Sequence, residues 1–528
     1  MAKLMRLVNC RSLTACKSSL SCNELHANLR SFLPAASKLH DNCCTGLPKS
    51  RYIHSSASFS LPPAPSHKLS PQEANLILRH NEHSVEIGAS CSSSRSTATN
   101  EVTPPPLYSI TSVDCNQLAA NAPIEDKMTS ARCLHTTGFL FGVFDGHGGP
   151  ECSQVVAKRL FDYVAAALLP LPRLNSILKQ WANGEEVQLI QVYNDKSAFV
   201  PELAAIYQSS LVRWCEHLAE DGKRQAFSMR EAMVGAFLQL DRDMGREVQE
   251  ADLMSADTQE ALVRVAVSGS VACVAHIDGQ HLHVAHAGDC GALLGRDKDD
   301  DKGGWSASKL TKSHDWENAD EIKRVLAEHP PSESVNVIKN QRLLGALMPF
   351  RAFGDFRFKW TPEQQRDILD IKLNSDGFVK FCLTPPYLIA EPTVNYHRLK
   401  PRDRFLIIGS DGLWESLTGL DAVTLVGEYM CGRQTLAPVQ LPARPITLGE
   451  ISKLLEQRQE GLRLKPVDTN AATHLIRQCV GTSETGLDHG TLAHSLTLAP
   501  EVRRYFRDDI SIHVIFFDHE YLRFCPRE

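Results

Sequence analysis

The chain has 528 residues, of which 43% are hydrophobic and 22% are charged. These proportions are ordinary for a soluble globular protein, and they exclude the disordered, collagen-like and small disulfide-scaffold classes. No stretch approaches the roughly 18 to 20 consecutive apolar residues that a membrane-spanning helix needs, so no membrane span is expected. The formal net charge of −6 gives no support to a nucleic-acid binder.

The first 70 residues differ in charge from the remainder. They contain nine Lys and Arg side chains but only two acidic ones, Glu24 and Asp41. An Arg- and Ser-rich, acid-poor beginning is typical of mitochondrial transit peptides. We therefore predict a transit peptide over residues 1–70 and localisation in the mitochondrial matrix, with a disordered basic tail as the alternative.

The domain boundaries are predicted from composition. Residues 71–107 contain a small polar run and three consecutive prolines at 104–106, which favours an N-terminal extension and linker. No second break in composition and no internal repeat follows, which predicts one large catalytic domain over 108–518 with insertions. Residues 519–528 are left as a C-terminal tail.

Apolar patterning predicts the main elements of that domain. In chain order they are a strand over 139–144, a helix from Pro150 to Leu168, a helix over 231–249, a hairpin of 271–277 and 281–285 around Asp278 and Gly279, a helix over 318–328, a strand over 405–408, a helix over 451–457 and a strand over 510–517.

Three of these strands adjoin acidic residues. Asp145 follows the first, Asp411 follows the strand at 405–408, and Asp508 and Asp509 precede the last. If the last strand is antiparallel to the other two, all of these acids converge on one rim of the sheet.

Converging acids at strand ends favour a bound cation. A buried aspartate costs several kcal/mol unless it is paired, hydrogen-bonded or bound to a metal. Carboxylate ligands without the Cys and His spacing of zinc sites point to Mg²⁺ or Mn²⁺. Gly146 lets the backbone pass close to such a cation, where its carbonyl oxygen can serve as a ligand. Taken singly, each Asp-Gly pair is more often a simple turn.

Five motifs in fixed order resemble the metal-dependent protein phosphatase 2C family. They are 144–149 (FDGHGG), 287–289 (AGD), 351–355 (RAFGD), 410–415 (SDGLWE) and 507–511 (RDDIS). The resemblance implies an α+β fold, in which a central antiparallel β-sandwich is flanked by α-helices and a two-metal site lies at one end.

The resemblance also implies roles for individual residues. The metal ligands would be Asp145, the Gly146 carbonyl, Asp411 and Asp508, holding two Mg²⁺ or Mn²⁺ ions per subunit. Asp508 is chosen because Asp509 stands where many relatives have Asn.

Three further residues complete the implied reaction. Glu125 and Asp126 would hold metal-bound waters, and a metal-bridging hydroxide would attack phosphoserine. His147 would donate a proton to the leaving serine oxygen, as the family's general acid does. A loop histidine that is hydrogen-bonded to a carboxylate is the alternative interpretation of His147.

The chain departs from the family pattern at two positions. Asn121 occupies the position of an arginine that clamps the substrate phosphate in many relatives, and its amide can supply only a neutral hydrogen bond. Ser313 stands where relatives have an Asp that helps hold a third, weaker metal. The acidic run that begins at Asp297 fails the spacing of a calcium-binding EF-hand, so a solvated loop is the expectation there.

Other segments resemble the mitochondrial pyruvate dehydrogenase phosphatases, a branch of the same family. They are 116–126, 343–360, 384–387, 390–392 and 470–477. The resemblance implies a protein serine/threonine phosphatase that reactivates the phosphorylated pyruvate dehydrogenase component.

The implied partners are a lipoyl domain of dihydrolipoyl acetyltransferase, with calcium as a bridging ion, and a regulatory subunit. Insertions at 171–225 and 432–468 are candidate docking regions. Two alternatives stay open: a catalytically inactive scaffold on the same fold, and an active phosphatase with another mitochondrial substrate.

Overall fold

The computed structural model describes residues 69–87, 108–193, 203–220, 228–298, 304–370, 379–436, 447–463, 465–484 and 486–524. The predicted transit peptide, apart from Leu69 and Ser70, lies outside the described residues. So do most of the predicted linker and most of the acidic run after Asp297.

The described residues fall into two compact units. One consists of Leu69–Thr361 and Val379–Glu528 and contains both large sheets. The described part of the other is the short helix Pro362–Gln365, followed by a π-helical turn at Arg366–Asp370.

The strands are β1 (His83–Glu86), β2 (Ile110–Leu118), β3 (Lys127–Cys133), β4 (Phe139–His147), β5 (Ile190–Val192), β6 (Gly269–Asp278), β7 (His281–Ala287), β8 (Gly291–Asp297), β9 (Trp305–Lys309), β10 (Ile338–Lys339), β11 (Arg342–Leu343), β12 (Phe353–Gly354), β13 (Thr393–Arg398), β14 (Asp403–Gly409), β15 (Thr482–Ser483), β16 (Gly486–Leu487) and β17 (Ile510–Phe517).

The α-helices are α1 (Pro71–Arg79), α2 (Glu151–Leu168), α3 (Leu171–Ala182), α4 (Ala204–Glu220), α5 (Met229–Gln249), α6 (Ala256–Val267), α7 (Ala319–Ala327), α8 (Ser334–Val337), α9 (Pro362–Gln365), α10 (Asp411–Ser416), α11 (Gly419–Leu436), α12 (Leu448–Arg463), α13 (Ala471–Gly481), α14 (His489–Thr497), α15 (Pro500–Arg503) and α16 (His519–Phe524). None of these helices combines the length and the apolar character that crossing a membrane would require.

Two antiparallel sheets form a sandwich. The first has the strand order β1-β2-β17-β14-β8-β9, and the second has the order β13-β7-β6-β4-β3-β5, with β12 also pairing with β6. Side chains from both sheets meet in one buried cluster, in which Phe141 and Val143 of β4 lie with Leu406 and Ile408 of β14. The predicted α+β sandwich is therefore confirmed.

Strand β14 shows why the apolar runs are continuous. Leu406 and Ile408 face the other sheet, whereas Phe405 and Ile407 pack in a second cluster with residues of α11 and α13. Successive side chains of a strand point to opposite faces, so a strand that is covered on both faces is apolar at every position.

The structure moves the start of the compact domain towards the N-terminus. The sequence places residues 71–107 outside it, but α1 buries Ala74 and Leu78 in the cluster beneath the first sheet. Strand β1 pairs with β2, with Val85 opposite Val113. Similarly, Leu522 in the predicted C-terminal tail is buried in the cluster between the sheets. Short elements of mixed polarity carried too little periodic signal to be predicted.

The sequence suggested that the acidic residues all lie on one rim of a single sheet. The structure instead places them on two sheets. Asp145 belongs to β4 of the second sheet, where β4 continues through His147, whereas Asp411 and Asp508 adjoin β14 and β17 of the first. Strands β14 and β17 are antiparallel as expected. The acids therefore meet at one end of the sandwich, across both sheets.

Candidate active site

Carboxylates from both sheets form the centre of the site. Burial raises the pKa of Asp145 well above its ordinary value, and the nearby charges of Asp411, Asp126, Asp289 and Asp508 raise it further. The pKa of Asp411 is likewise raised well above its ordinary value, by burial first and then by the charges of Asp289 and Asp508. A cation bound in this place would lower both pKa values, because an opposite charge favours the ionised carboxylate.

Asp126 is the most deeply buried acid of the group. Its residue is 1% exposed, its Oδ2 has no hydrogen-bond partner, and its remaining hydrogen bonds come from Ser410 and Ser511. Burial, followed by the charge of Asp509, raises its pKa to about 7. Such a buried, unsatisfied acceptor oxygen is costly unless a positive group approaches it.

These acids suit a hard cation. Like Asp126, Asp411 has a buried oxygen, its Oδ1, without a hydrogen-bond partner, and the donors that converge here are oxygens, as Mg²⁺ and Mn²⁺ prefer. Among the residues the structure describes, however, no three His, Cys, Asp or Glu side chains already stand in an arrangement that holds a metal. The fit therefore rests on the chemistry of the donors and their two unsatisfied oxygens.

Asp289 extends the cluster from the turn between β7 and β8. Burial raises its pKa to about 6, while the charge of His147 opposes the shift and those of Asp315 and Glu415 add to it. The turn is held by His314, whose backbone N–H donates to the Gly288 carbonyl at 2.9 Å. Among the residues that the structure describes, Ser313 makes no contact with these carboxylates.

Asp508 and Asp509 have different surroundings. The Asp509 carboxylate is buried and accepts backbone N–H groups of Ala120 at 2.5 Å, Asn121 at 2.9 Å and Glu125 at 2.8 Å. It therefore shapes the loop between β2 and β3. The Asp508 side chain is exposed, and its Oδ1 accepts from the Asp509 N–H at 2.7 Å, which leaves capacity for a ligand.

Asn121 faces these two acids. Its Nδ2 lies 3.3 Å from Asp508 Oδ1 and 3.2 Å from Asp509 Oδ2. Because both amide hydrogens point at carboxylates, the side chain supports the loop more directly than it supports an incoming phosphate.

The backbone of Glu125 lies close to the segment that follows Asp145. Its Oε1 accepts the Gly149 N–H at 2.9 Å, and the Ser153 hydroxyl donates to its carbonyl. A Cβ at Gly146 would stand 2.5 Å from the same carbonyl, so only glycine fits there. Burial raises the pKa of the Glu125 carboxyl, and the charge of Arg504 opposes this.

His147 is paired with Asp355, which lies 208 residues further along the chain. The His147 Nε2 to Asp355 Oδ2 distance is 2.5 Å, and the His147 side chain is 29% exposed. Burial lowers the imidazole pKa, but the charge and the hydrogen bond of Asp355 raise it, and the net direction is upward. The ring can therefore hold a proton while one edge still faces solvent.

All eight residues chosen from the sequence lie at this end of the sandwich. They are Asn121, Glu125, Asp126, Asp145, Gly146, His147, Asp411 and Asp508. Sequence reasoning assigned no role to Asp289, Asp355 or Arg504. The first two stood in the quoted motifs, and Arg504 stood in the basic run before Asp508.

Comparison with known proteins identifies the family. Residues 186–438 match the family model described as Protein phosphatase 2C. The chain is 41% identical to the human mitochondrial [pyruvate dehydrogenase [acetyl-transferring]]-phosphatase 1, over 85% of this chain and 83% of the relative. It is 38% identical to the human mitochondrial phosphatase 2 of the same name, over 86% and 84%.

A third relative, from Schizosaccharomyces pombe, is named a protein phosphatase 2C homolog. It is 31% identical and covers 78% of this chain, which covers 81% of it. The resemblance drawn from the ordered motifs is therefore confirmed. The chain belongs to the protein phosphatase 2C family.

Proposed function

We propose that the chain is a mitochondrial, metal-dependent protein serine/threonine phosphatase that dephosphorylates and so reactivates the pyruvate dehydrogenase component of its complex. Two relatives that match most of the chain carry the name of this activity. The observation that carries the proposal is the convergence of Asp126, Asp145, Asp411 and Asp508 at one end of the sandwich.

In this proposal Asp145, the Gly146 carbonyl, Asp411 and Asp508 hold two Mg²⁺ or Mn²⁺ ions per subunit. Glu125 and Asp126 complete the surroundings of the ions. When bound, the cations neutralise the charge of the phosphate and activate water for attack.

His147 and Asp355 supply the proton that the leaving serine oxygen needs. Because the Asp355 carboxylate can only accept, it fixes a hydrogen on His147 Nε2. The proton for the leaving serine oxygen is then carried on Nδ1 of the charged ring. Raising the imidazole pKa keeps this proton in place near neutral pH.

The proposal also includes a location and partners. Residues 1–70 serve as a transit peptide to the matrix, which agrees with relatives that are named mitochondrial. The catalytic domain then extends from α1, which buries Ala74 and Leu78, to Leu522 of α16. A lipoyl domain of dihydrolipoyl acetyltransferase, bridged by calcium, and a regulatory subunit are the proposed partners, with the insertions at 171–225 and 432–468 available for docking.

The test is release of phosphate from phosphorylated pyruvate dehydrogenase by the full chain with Mg²⁺. We expect release that EDTA abolishes, and that Asp145→Asn lowers by more than about 100-fold, because charge stabilisation by a metal is worth several kcal/mol. Asp278→Asn, in the turn at the opposite end of β6, is the matched control and should keep full activity.

Two results would contradict the proposal in different ways. A folded chain that hydrolyses neither the phosphoprotein nor a generic phosphopeptide would be an inactive scaffold. Hydrolysis of the phosphopeptide without action on pyruvate dehydrogenase would point to another mitochondrial substrate.

A further inference from the structure

The segment that leads into Asp508 forms an ordered rim beside the carboxylates. Helix α15 ends at Arg503, and the turn continues because the N–H groups of Tyr505 and Phe506 bond to the carbonyls of Val502 and Arg503, both at 3.0 Å. The rim, defined here as residues 502–507, is thus a continuous helical turn.

Two arginines fasten this rim to the loop between β2 and β3. Arg507 donates to the Ala119 carbonyl at 2.6 Å, and Arg503 donates to the same carbonyl at 3.3 Å. Asn121 and Glu125 belong to this loop, so the rim and the carboxylate centre are held in a fixed relation.

Arg504 lies between Arg503 and Arg507 in the sequence, but its side chain does not bind the loop. Its side chain is exposed, and within the described part of the chain it has no hydrogen bond or ion pair. Its charge nevertheless acts on Glu125, where it opposes the effect of burial on the carboxyl pKa. Lys127, a nearby cation at the start of β3, instead donates hydrogen bonds to the carbonyls of Ile124 at 2.8 Å and Asp126 at 3.1 Å.

The two residues after Arg504 are exposed aromatics. Tyr505 is 64% exposed and Phe506 is 63% exposed. Adjacent exposed aromatic side chains at the edge of a polar site are typical of surfaces that bind another polypeptide. Here they lie within three residues of Asp508, on the rim that Arg503 and Arg507 hold against the loop between β2 and β3.

We propose that Arg504, Tyr505 and Phe506 form the surface that receives the phosphorylated segment of the substrate protein. Arg504 binds oxygens of the phosphate, and the two aromatic rings contact the side chains that flank the phosphoserine. The inference rests on the proposed phosphatase function.

Charge complementarity supports this occupant. A phosphate dianion that enters the site meets a group of carboxylates, which repel it unless positive charge lies beside them. The Asn121 amide is already directed at Asp508 and Asp509. The guanidinium of Arg504 is free to supply a forked, charged contact to phosphate oxygens.

The experiment compares full-chain variants with Mg²⁺ on p-nitrophenyl phosphate and on phosphorylated pyruvate dehydrogenase, with inorganic phosphate as inhibitor. Arg504→Ala should raise KM on both substrates and the inhibition constant of phosphate by about 10- to 100-fold, as expected for losing a charged hydrogen bond. Arg504→Lys should recover most of the loss. Arg398→Ala, an exposed arginine on β13, is the matched control and should behave as the wild type.

The aromatic pair is tested separately. The double variant Tyr505→Ala with Phe506→Ala should raise KM for the phosphoprotein by about 3- to 10-fold, and by more than it raises KM for p-nitrophenyl phosphate. Phe524→Ala, which removes an aromatic ring that is 74% exposed on α16, should change neither value.

The outcomes separate this inference from the proposed function. If Arg504→Ala leaves KM and phosphate inhibition unchanged, the surface is wrong even when the phosphatase is real. If the wild type acts on p-nitrophenyl phosphate alone, the substrate is wrong but Arg504 is still tested. If it acts on neither, calorimetric titration of wild type and Arg504→Ala with inorganic phosphate decides, and equal affinities would overturn the inference.

Discussion

A glycine makes room for the pair of His147 and Asp355. Gly269 begins β6 and lies opposite His147 in the sheet. A Cβ at this position would stand 2.1 Å from both Asp355 Oδ2 and His147 Nε2. The pair therefore depends on a residue that itself takes no part in chemistry.

We expect Gly269→Ala to separate His147 from Asp355 and to lower kcat by about 100-fold, the smaller end of what a positioned acid contributes. Steady-state kinetics on a phosphoserine peptide checks this, because its poor leaving group needs the proton that His147 donates. Gly235→Ala is the control, because its nearest neighbour would be 3.7 Å away. Full activity of a folded Gly269→Ala enzyme would show that His147 does not need Asp355.

The residues of the site were predictable to different degrees. The acids beside β4, β14 and β17 were predicted because each apolar run ends or begins next to one. Asp355 was given no role, because it lies 208 residues from His147 and adopts a left-handed conformation, with φ of +49°, that its residue type does not indicate. The sequence gives Arg504 no role, because nothing in it distinguishes Arg504 from the neighbouring arginines. Only the fold shows that Arg503 and Arg507 bind the Ala119 carbonyl while Arg504 does not.

At the scale of elements, a buried ion pair ties together helices on the outer face of the second sheet. Arg159 of α2 makes two hydrogen bonds to Glu247 of α5, at 2.9 and 2.6 Å, and both side chains are at most 5% exposed. Ser210 of α4 also donates to Glu247 at 2.6 Å. Because α2 begins just after Gly149, this network supports the motif that carries Asp145.

Breaking that pair should be costly, whereas replacing it whole should not. Glu247→Gln should lower the free energy of unfolding by about 3 to 5 kcal/mol, because it leaves a buried charge unpaired. Arg159→Met combined with Glu247→Leu should recover most of the loss.

Urea unfolding measures both effects. As a control, Glu260→Gln, which breaks the exposed pair with Arg264 within α6, should change stability by less than about 1 kcal/mol. Additive losses in the double variant would indicate that the two side chains act independently.

The elements themselves were predicted best where burial is complete. Strands β14 and β17 and helices α2 and α5 agree with the predicted runs to within a few residues, because their faces lie against a core. Strand β4 extends through three polar or small residues that the apolar pattern could not include. Helix α1 has buried positions at Ala74 and Leu78 alone, too few to predict a helix.

At the scale of the whole molecule, a histidine lies buried between the two sheets. His513 of β17 is fully buried, pairs with Ile408 of β14, and lies 6.2 Å from the ring of Phe141. Burial lowers its pKa to about 4. In the folded protein it therefore stays neutral at pH values where an unfolded chain would bind a proton.

Stability should consequently fall as the pH falls from about 6.5 towards 4, because the unfolded state binds the extra proton. His513 contributes a loss of about 2 kcal/mol between pH 8 and pH 5. His513→Leu should reduce the pH dependence of unfolding by that amount, measured by urea titration at several pH values. An unchanged pH dependence would assign the effect to other groups, and His519→Leu on exposed α16 serves as the control.

Strand β17, the last strand that the structure describes, lies between β2 and β14 rather than at an edge. It follows directly after Asp508, so the chain completes its carboxylate centre only when this strand inserts into a sheet whose other members are far earlier in the sequence. During synthesis, the elements before β17 leave the ribosome without the strand that belongs between β2 and β14. The carboxylate centre is therefore complete only once β17 has been inserted and has brought Asp508 to the other acids.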